Sequence, residues 1–458
     1  MKMALHCSAA LLLCLMIPRA GQAQMFTSLL SFTGSNGSSP FMGVLTQGVD
    51  GNLYGTASAG GTHGKGTVFK ITTSGTLTTI YSFCAKSKCT DGSAPYGGLT
   101  LGTDGNFYGT TFSGGTTQQA GTVYKITPAG KLTTLHNFTF GSDGANPYDA
   151  LLQGTDGNYY GTAQYGGAHG LGTVFKITPQ GTFTVLHSFD SSDGSEPEAG
   201  LIQATDGNFY GTTYNGGTGG YGTAFKITPA GVFTNLHVFE DDIDGRDLVS
   251  GVVQGNDGNF YGAAGGGGPL GYGTLYVMTP TGQVTVLHNF DVTDGDAPNL
   301  LLLGTDGNLY GTTISGGGNG NVFEATTQGT VTQLHAFNDT DGSLPFAGPA
   351  QATDGNLYGT TLYGGSKKKG TVFKIALGLA PFVKTVPTSG KVGAKVKILG
   401  TSLTGTTSVT FNGTAATFTV VSATEITTTV PAGAATGTVQ VTTPSGILLS
   451  NVAFQVTQ

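Results

Sequence analysis

One six-residue pattern constrains this chain more than any other feature. Asp-Gly-Asn-x-Tyr-Gly occurs seven times, beginning at Asp50, Asp104, Asp156, Asp206, Asp257, Asp306 and Asp354, at spacings of 48 to 54 residues. A second pattern, Gly-Thr-Val-Phe-Lys-Ile-Thr, follows each copy, starting at Gly66, Gly121, Gly172, Gly222, Gly273, Gly320 and Gly370. Its Lys gives way to Val277 and Glu324 in the fifth and sixth copies. A third, Gly-x-Leu-Thr-x-Leu-His-x-Phe, ends at Phe83, Phe138, Phe189, Phe239, Phe290 and Phe337, so it has only six copies. A unit of this size cannot bury its apolar face alone, so the copies must pack on one another.

Each segment alternates apolar and polar residues, the period of a half-buried strand. Helical alternatives fail on composition: 79 of 458 residues are Gly, and each costs about 1 kcal/mol in a helix relative to Ala. Asp-Gly and Thr-Pro-x-Gly clusters supply the turns. A fourth apolar segment, such as Ala150-Leu151-Leu152-Gln153, precedes each Asp-Gly-Asn. Four strands in each of seven units predict an all-β fold, a seven-bladed β-propeller. The missing seventh copy of the third pattern lies at the other end of the chain, in residues 26–32 (Phe-Thr-Ser-Leu-Leu-Ser-Phe). That strand is expected to complete the last blade and close a ring, leaving no unpaired edge.

Past Ala376 the repeats vanish, aromatics thin out and Thr and Val dominate. Short strand patterns there predict an immunoglobulin-like β-sandwich over 381–458, after a linker at 377–380. At the other end, Lys2, an apolar stretch from Ala9 to Ile17 and small residues at Gly21 and Ala23 read as a signal peptide over 1–23. The propeller then occupies 24–376. A secreted or otherwise extracytoplasmic location follows, with no transmembrane segment, and a monomer is expected. Cys84 and Cys89, the two Cys outside the leader, read as a local disulfide. With 19 Lys and Arg against 26 Asp and Glu, the chain lacks the basic clusters that displace counterions from nucleic acid.

The repeats resemble the GloVer, or choice-of-anchor, tandem-repeat family of secreted bacterial proteins, through Asp-Gly-Asn-x-Tyr-Gly-Thr and Gly-Thr-Val-Phe-Lys-Ile-Thr. That resemblance implies an extracytoplasmic propeller and carries no catalytic residues with it. The C-terminal segment looks like an IPT/TIG module through Pro387-Thr388-Ser389-Gly390, which implies a spacer or a contact unit for proteins and glycans.

Length variation falls in two connections, between second and third strands and between one blade and the next. In an up-and-down blade both lie on one face of the disc, which is where function is expected. Repeated residues are read as structural: Asp in the turns, His136, His187, His237, His288 and His335, and a hydrogen-bonding ring of Gln47, Gln153, Gln203, Gln254 and Gln351. Calcium is the one cofactor considered, because Asp242-x-Asp244-Gly and Asp339-x-Asp341-Gly resemble short carboxylate loops, though with too few oxygen ligands.

Residues that break the pattern are the site candidates. Three consecutive blades enter their inner strands with Tyr148-Asp149, Glu198 and Arg246-Asp247, which could form one polar sector at the channel mouth. Carboxylates with a single Arg suit a sugar or a carboxylated ligand, or acid/base work. Nearby loops offer His63, His169, Tyr165, Tyr214, Tyr221 and Tyr363. The resulting expectation is a non-enzymatic binding or scaffold protein presenting this face to an extracellular glycan or protein. The alternative is a secreted polysaccharide lyase or hydrolase using Asp149, Glu198, Asp247 and a loop His.

Overall fold

The computed structural model describes residues 24–116 and 118–457; the leader expected over 1–23 lies outside them. The chain is all-β, with a single 3-10 turn at Ser87–Cys89 and no α-helix among the described residues. Residues 25–376 form seven four-stranded antiparallel sheets. In the first, the strands run from inside outward as Thr46–Gln47, Leu53–Ala57, Thr67–Ile71 and Leu77–Ser82, and the next five repeat that order. The seventh has Ala350–Gln351, Leu357–Thr361 and Thr371–Ala376, with Met25–Ser31 outermost. The displaced strand thus pairs where the sequence places it. It also carries a register shift, between Ser28 and Leu30, matching the β-bulge in the outer pair of the other sheets, such as Val174/Phe175.

Two glycines in each unit are required for different reasons. In the Asp-Gly-Asn turns the Gly has φ between +78° and +86°. A Cβ on Gly157 would meet nothing within 4 Å, so backbone conformation alone selects glycine there. On the second strand a Cβ on Gly161 would lie 2.7 Å from Phe175 Cζ and 2.9 Å from Leu151 Cδ2. There it is close packing that excludes a side chain. The turn Asp is held by the motif's other members: Asp156 accepts from the Asn158 amide at 2.7 Å and from the Tyr160 hydroxyl at 2.7 Å.

Neighbouring sheets share cores. Each motif Tyr is buried; in the first four sheets its ring packs on an aromatic residue of the following sheet, as in Tyr160 on Phe209 with centroids 4.0 Å apart, and in the last three Leu309, Leu357 and Leu53 take that place. Gln side chains at the inner strand ends link successive sheets: Gln203 Oε1 accepts from Thr155 N at 2.8 Å and Gln254 Oε1 from Thr205 N at 2.9 Å. The same link joins the last sheet to the first, with Gln47 Oε1 accepting from Thr353 N at 2.9 Å. Phe32 completes that junction in a core with Leu45 and Phe69 of the first sheet and Tyr358 and Val372 of the seventh. Inner strands of five different sheets line one cavity of about 200 Å³, walled by residues such as Val44, Leu151, Leu201, Val252 and Leu301.

The repeated His side chains are structural. His136, His187, His237, His288 and His335 place Nε2 2.6–3.1 Å from Asp143, Asp193, Asp244, Asp294 and Asp341. Tyr81 takes that place in the first sheet and donates to Asp91 at 2.7 Å. Asp91 also accepts from Ala85 N, beside the Cys84–Cys89 disulfide. In the two loops that resembled calcium sites, the Asp244 and Asp341 carboxylates are thus engaged by His. Among the described residues no group of three or more His, Cys, Asp or Glu is placed to hold a metal ion.

Residues 384–457 build two further four-stranded sheets and a parallel pair, Ser389–Lys391 with Gln455–Thr457. Their own core includes Val396, Ile398, Val409, Phe411, Ile426 and Val441. They lie against the face that carries the Asp-Gly-Asn turns, called here the lower face. Thr424 donates to Val49 O at 2.8 Å, Phe382 N to Thr353 O at 3.0 Å, and Leu399 joins a core with Tyr54 and Phe107. Lys384 reaches the lower end of an inner strand, donating to Gln351 O at 2.6 Å, and burial pulls its ammonium down to about 8.

Candidate functional site

Each unit delivers one residue to the opposite, upper face by the same backbone device. After the outer strand the chain passes an Asp-Gly turn (Asn36-Gly37 before the first sheet) and a non-glycine residue with φ between 52° and 59°: Ser39, Ala94, Asn146, Glu196, Asp247, Ala297 or Leu344. Hydrogen bonds on both sides hold this conformation; Ala94 N donates to Lys65 O and Ala94 O accepts from Phe112 N. A buried Pro follows in six units, replaced by Leu248 in the fifth. The next residue is Phe41, Tyr96, Tyr148, Glu198, Val249, Asn299 or Phe346. Second-strand threonines pin these segments across sheets, Thr110 donating to Asp149 O at 3.0 Å and Thr162 to Ala199 O at 3.0 Å.

These positions divide the mouth into two halves. Phe346, Phe41, Tyr96 and Tyr148 come from four sheets and meet in a half-buried aromatic arc. Phe41 packs 4.9 Å from Phe346, 5.0 Å from Tyr96 and 5.8 Å from Tyr148, and Tyr96 lies 5.5 Å from Tyr148. Phe112 backs the arc, stacked on Tyr96 at 4.5 Å. The sequence reading found Tyr148 and missed the rest. The signal was available in the aligned position after the repeated Pro, where three further aromatics stand.

In the other half Glu198, the one acid among Glu198, Val249 and Asn299, is joined by the carboxylates of Asp149 and Asp247. Glu198 is only 8% exposed; one carboxylate oxygen accepts from Gln164 Nε2 at 2.6 Å. Burial pushes its carboxyl up to about 7, and the neighbouring Glu196 and Asp247 carboxylates add to the rise, against the Gln164 hydrogen bond. Asp149 is pushed up to about 6 by burial, opposed by two backbone N–H groups: Ala150 N at 2.6 Å and Gly200 N at 2.9 Å. The hydroxyls of Tyr148 and Tyr214 are raised, first by burial; Glu198 acts on both, Asp149 on Tyr148 and Asp247 on Tyr214. Tyr165 is raised by burial and by Glu196 and Glu198.

Six of the candidates therefore share one electrostatic neighbourhood: Tyr148, Asp149, Tyr165, Glu198, Tyr214 and Asp247. Arg246 belongs to it differently from expectation. Its Nε lies 3.3 Å from Asp241 and 3.6 Å from Asp247, so it is paired within its own loop. Four candidates do not join. His63 and His169 sit at exposed loop tips, and His169 acts on Asp190 rather than on the mouth carboxylates. Tyr221 packs against the core of its own sheet, and Tyr363 is 47% exposed. Tyr363 and Tyr221 are held in β-bridges with Ser343 and Gly216, so their place follows from the blade's own pairing rather than from the mouth.

The burial of Glu198 predicts a pH effect on stability. A carboxyl raised by folding stabilises the protein fully below its ordinary value of 4.5, and that contribution is lost as pH rises through about 7. Glu198→Gln should therefore be more stable than the wild type at high pH, by up to about 3 kcal/mol, with the gap closing near pH ~4.5. Denaturant titrations of both proteins across that window check it; a gap independent of pH would contradict the assignment.

A model of the Gloeobacter/Verrucomicrobia repeat matches residues 84–254 and 241–421. No curated protein matches the chain. Among solved structures, a streptogramin B lyase is similar at 15% identity and a TM-score of 0.55, covering 77% of this chain and 98% of its own. A catalytically inactive virginiamycin B lyase from Staphylococcus aureus, solved with quinupristin, gives 17% identity and 0.54 over 77% and 99%. The extracellular domain of a putative hybrid two-component system from B. thetaiotaomicron gives 12% and 0.52, over 83% of this chain and 46% of that one. At such identities the likeness is one of fold, an all-β propeller-like architecture.

Proposed function

Because the chain belongs to the Gloeobacter/Verrucomicrobia repeat family, we propose that it is a secreted or surface-held binding protein whose upper mouth takes a glycan. In this reading the seven sheets are blades of one propeller over 24–376. Residues 377–380 lead to an immunoglobulin-like, IPT/TIG-type module over 381–458 that acts as spacer. The Gln47–Thr353 link between first and last sheets supports a closed ring, and the separate core of the C-terminal sheets supports a module. The Cys84–Cys89 disulfide suits an oxidising compartment.

One observation carries the functional part. Half-buried aromatic rings and buried carboxyl groups converge at one end of the cavity, while the C-terminal sheets lie over the other. Aromatic faces stack on the apolar faces of sugar rings, and carboxylates accept from their hydroxyls. The upper mouth is thus the open approach, and its chemistry suits a saccharide.

The second reading, a polysaccharide lyase or hydrolase, draws on Glu198, whose raised carboxyl could donate a proton near neutrality. It lacks partners. Both Asp149 oxygens are engaged by backbone N–H groups, and the two loop His stand apart. A glycan-array screen of the secreted protein, with product analysis of each hit, separates the readings. Binding without turnover is expected; cleavage abolished in Glu198→Gln would establish the enzyme instead.

A further inference from the structure

We propose that the glycan is cationic, a hexosamine with its amine free, and that the ammonium sits between the Tyr148 ring and the carboxylates of Glu198 and Asp247. This rests on the glycan reading of the mouth and adds the charge of the ligand. Three features carry it. Carboxylates dominate the mouth's charge: Asp149 enters the third sheet, Glu196 and Glu198 the fourth, and Asp247 the fifth. The local cation, Arg246, is already shared by Asp241 and Asp247. An anionic glycan would bring a further negative charge against them, which opposes binding.

The second feature is the state of Glu198. It is almost wholly withdrawn from water, yet only one of its oxygens has a described hydrogen-bond partner, the Gln164 amide. A neutral sugar would leave the carboxyl protonated, whereas an ammonium would pair with the carboxylate. The groups around it are Glu196, Asp247, Tyr148, Tyr165 and Tyr214, none of them cationic. Thirdly, the aromatic arc ends beside the acids at Tyr148, and an aromatic face attracts an ammonium. The elevated Glu198 carboxyl agrees with these contacts, since a bound cation would draw off its proton and leave the paired, charged form.

The test uses the full secreted chain and three oligosaccharides of matched length: a glucosamine hexamer, its N-acetylated counterpart and an oligogalacturonate. Calorimetry near neutral pH should give the free amine at least about tenfold tighter binding than the acetylated form, with no binding of the uronate. Glu198→Gln should erase the tenfold gap, and Tyr148→Ala should weaken both hexosamine forms. Repeating the titration at mildly acid pH, where the amine is already protonated, in buffers of different ionisation enthalpy should reveal proton release with the amine alone. Equal binding of both hexosamine forms, still lowered by Tyr148→Ala, would overturn the amine assignment and leave the glycan reading standing. An amine preference that survives Glu198→Gln would place the cation elsewhere on this acidic protein and overturn the site. No binding of either hexosamine, or binding indifferent to Tyr148→Ala, would overturn both readings.

Discussion

Deleting residues 24–32 is expected to destabilise the seven-sheet body more than any single substitution in it. This one segment touches three sheets at once. Met25–Ser31 pairs along Thr371–Ala376 of the seventh. Phe26 stacks on His335 of the sixth with ring centroids 3.5 Å apart. Phe32, fully buried, fills the junction between the seventh and the first. Truncating one fully buried Phe typically costs 3–5 kcal/mol. The deletion also removes a whole hydrogen-bond ladder and leaves Thr371–Ala376 as an open edge prone to pairing with other chains. A loss above about 5 kcal/mol and concentration-dependent association should appear together in thermal unfolding and sedimentation. Adding the strand back as a peptide should reverse both. An unfolding midpoint within a few degrees of the intact protein would show that the sheets do not depend on closure.

The largest effect on binding is expected from Tyr148→Ala. Tyr148 lies between the arc and the acids, 5.8 Å from Phe41, 5.5 Å from Tyr96 and 6.0 Å from Phe112. Truncating a central aromatic anchor removes about 2 kcal/mol or more, so affinity for any glycan the mouth holds should fall about 30-fold. Tyr148→Phe keeps the ring and should retain most of the affinity. Tyr363→Ala, at an exposed loop position, should change nothing. Titrations of the three variants with one array hit decide the matter; a Tyr363 effect equal to that of Tyr148 would relocate the site to the loops.

What could be read from the sequence followed from repetition. Seven copies of a turn and of a strand pattern, with six of the pattern that closes on Phe, set each sheet's order, and the single missing copy pointed to the strand at residues 25–31. The Gln links and the structural His followed from the same logic, because a residue kept in nearly every unit serves what every unit shares. The His partner was less visible. Asp143, Asp193 and their equivalents read as turn formers, and only the folded chain brings them back onto the His six or seven residues earlier.

The mouth was legible only in part. Tyr148, Glu198 and Asp247 stood out as breaks in a pattern, but Phe41, Tyr96 and Phe346 passed as ordinary apolar residues. Their meeting depends on a left-handed residue before each Pro (Ser39, Ala94, Leu344), which no glycine marks. Arg246 seemed free to meet a carboxylated ligand because Asp241 lies five residues back in a loop of undefined shape. The placement of the C-terminal sheets over the Asp-Gly-Asn turns had no sequence signal at all; it rests on scattered contacts such as Thr424 with Val49 and Lys384 with Gln351.

That placement makes the direction of ligand approach the central claim, and hydrogen exchange with and without a bound glycan tests it most directly. Slowed exchange should be confined to the segments entering the inner strands at 41–44, 96–99, 148–152 and 198–201. The Asp-Gly-Asn turns and residues 384–457 should exchange at unchanged rates. Protection centred on those turns or on the C-terminal sheets, with the upper mouth unaffected, would contradict the account.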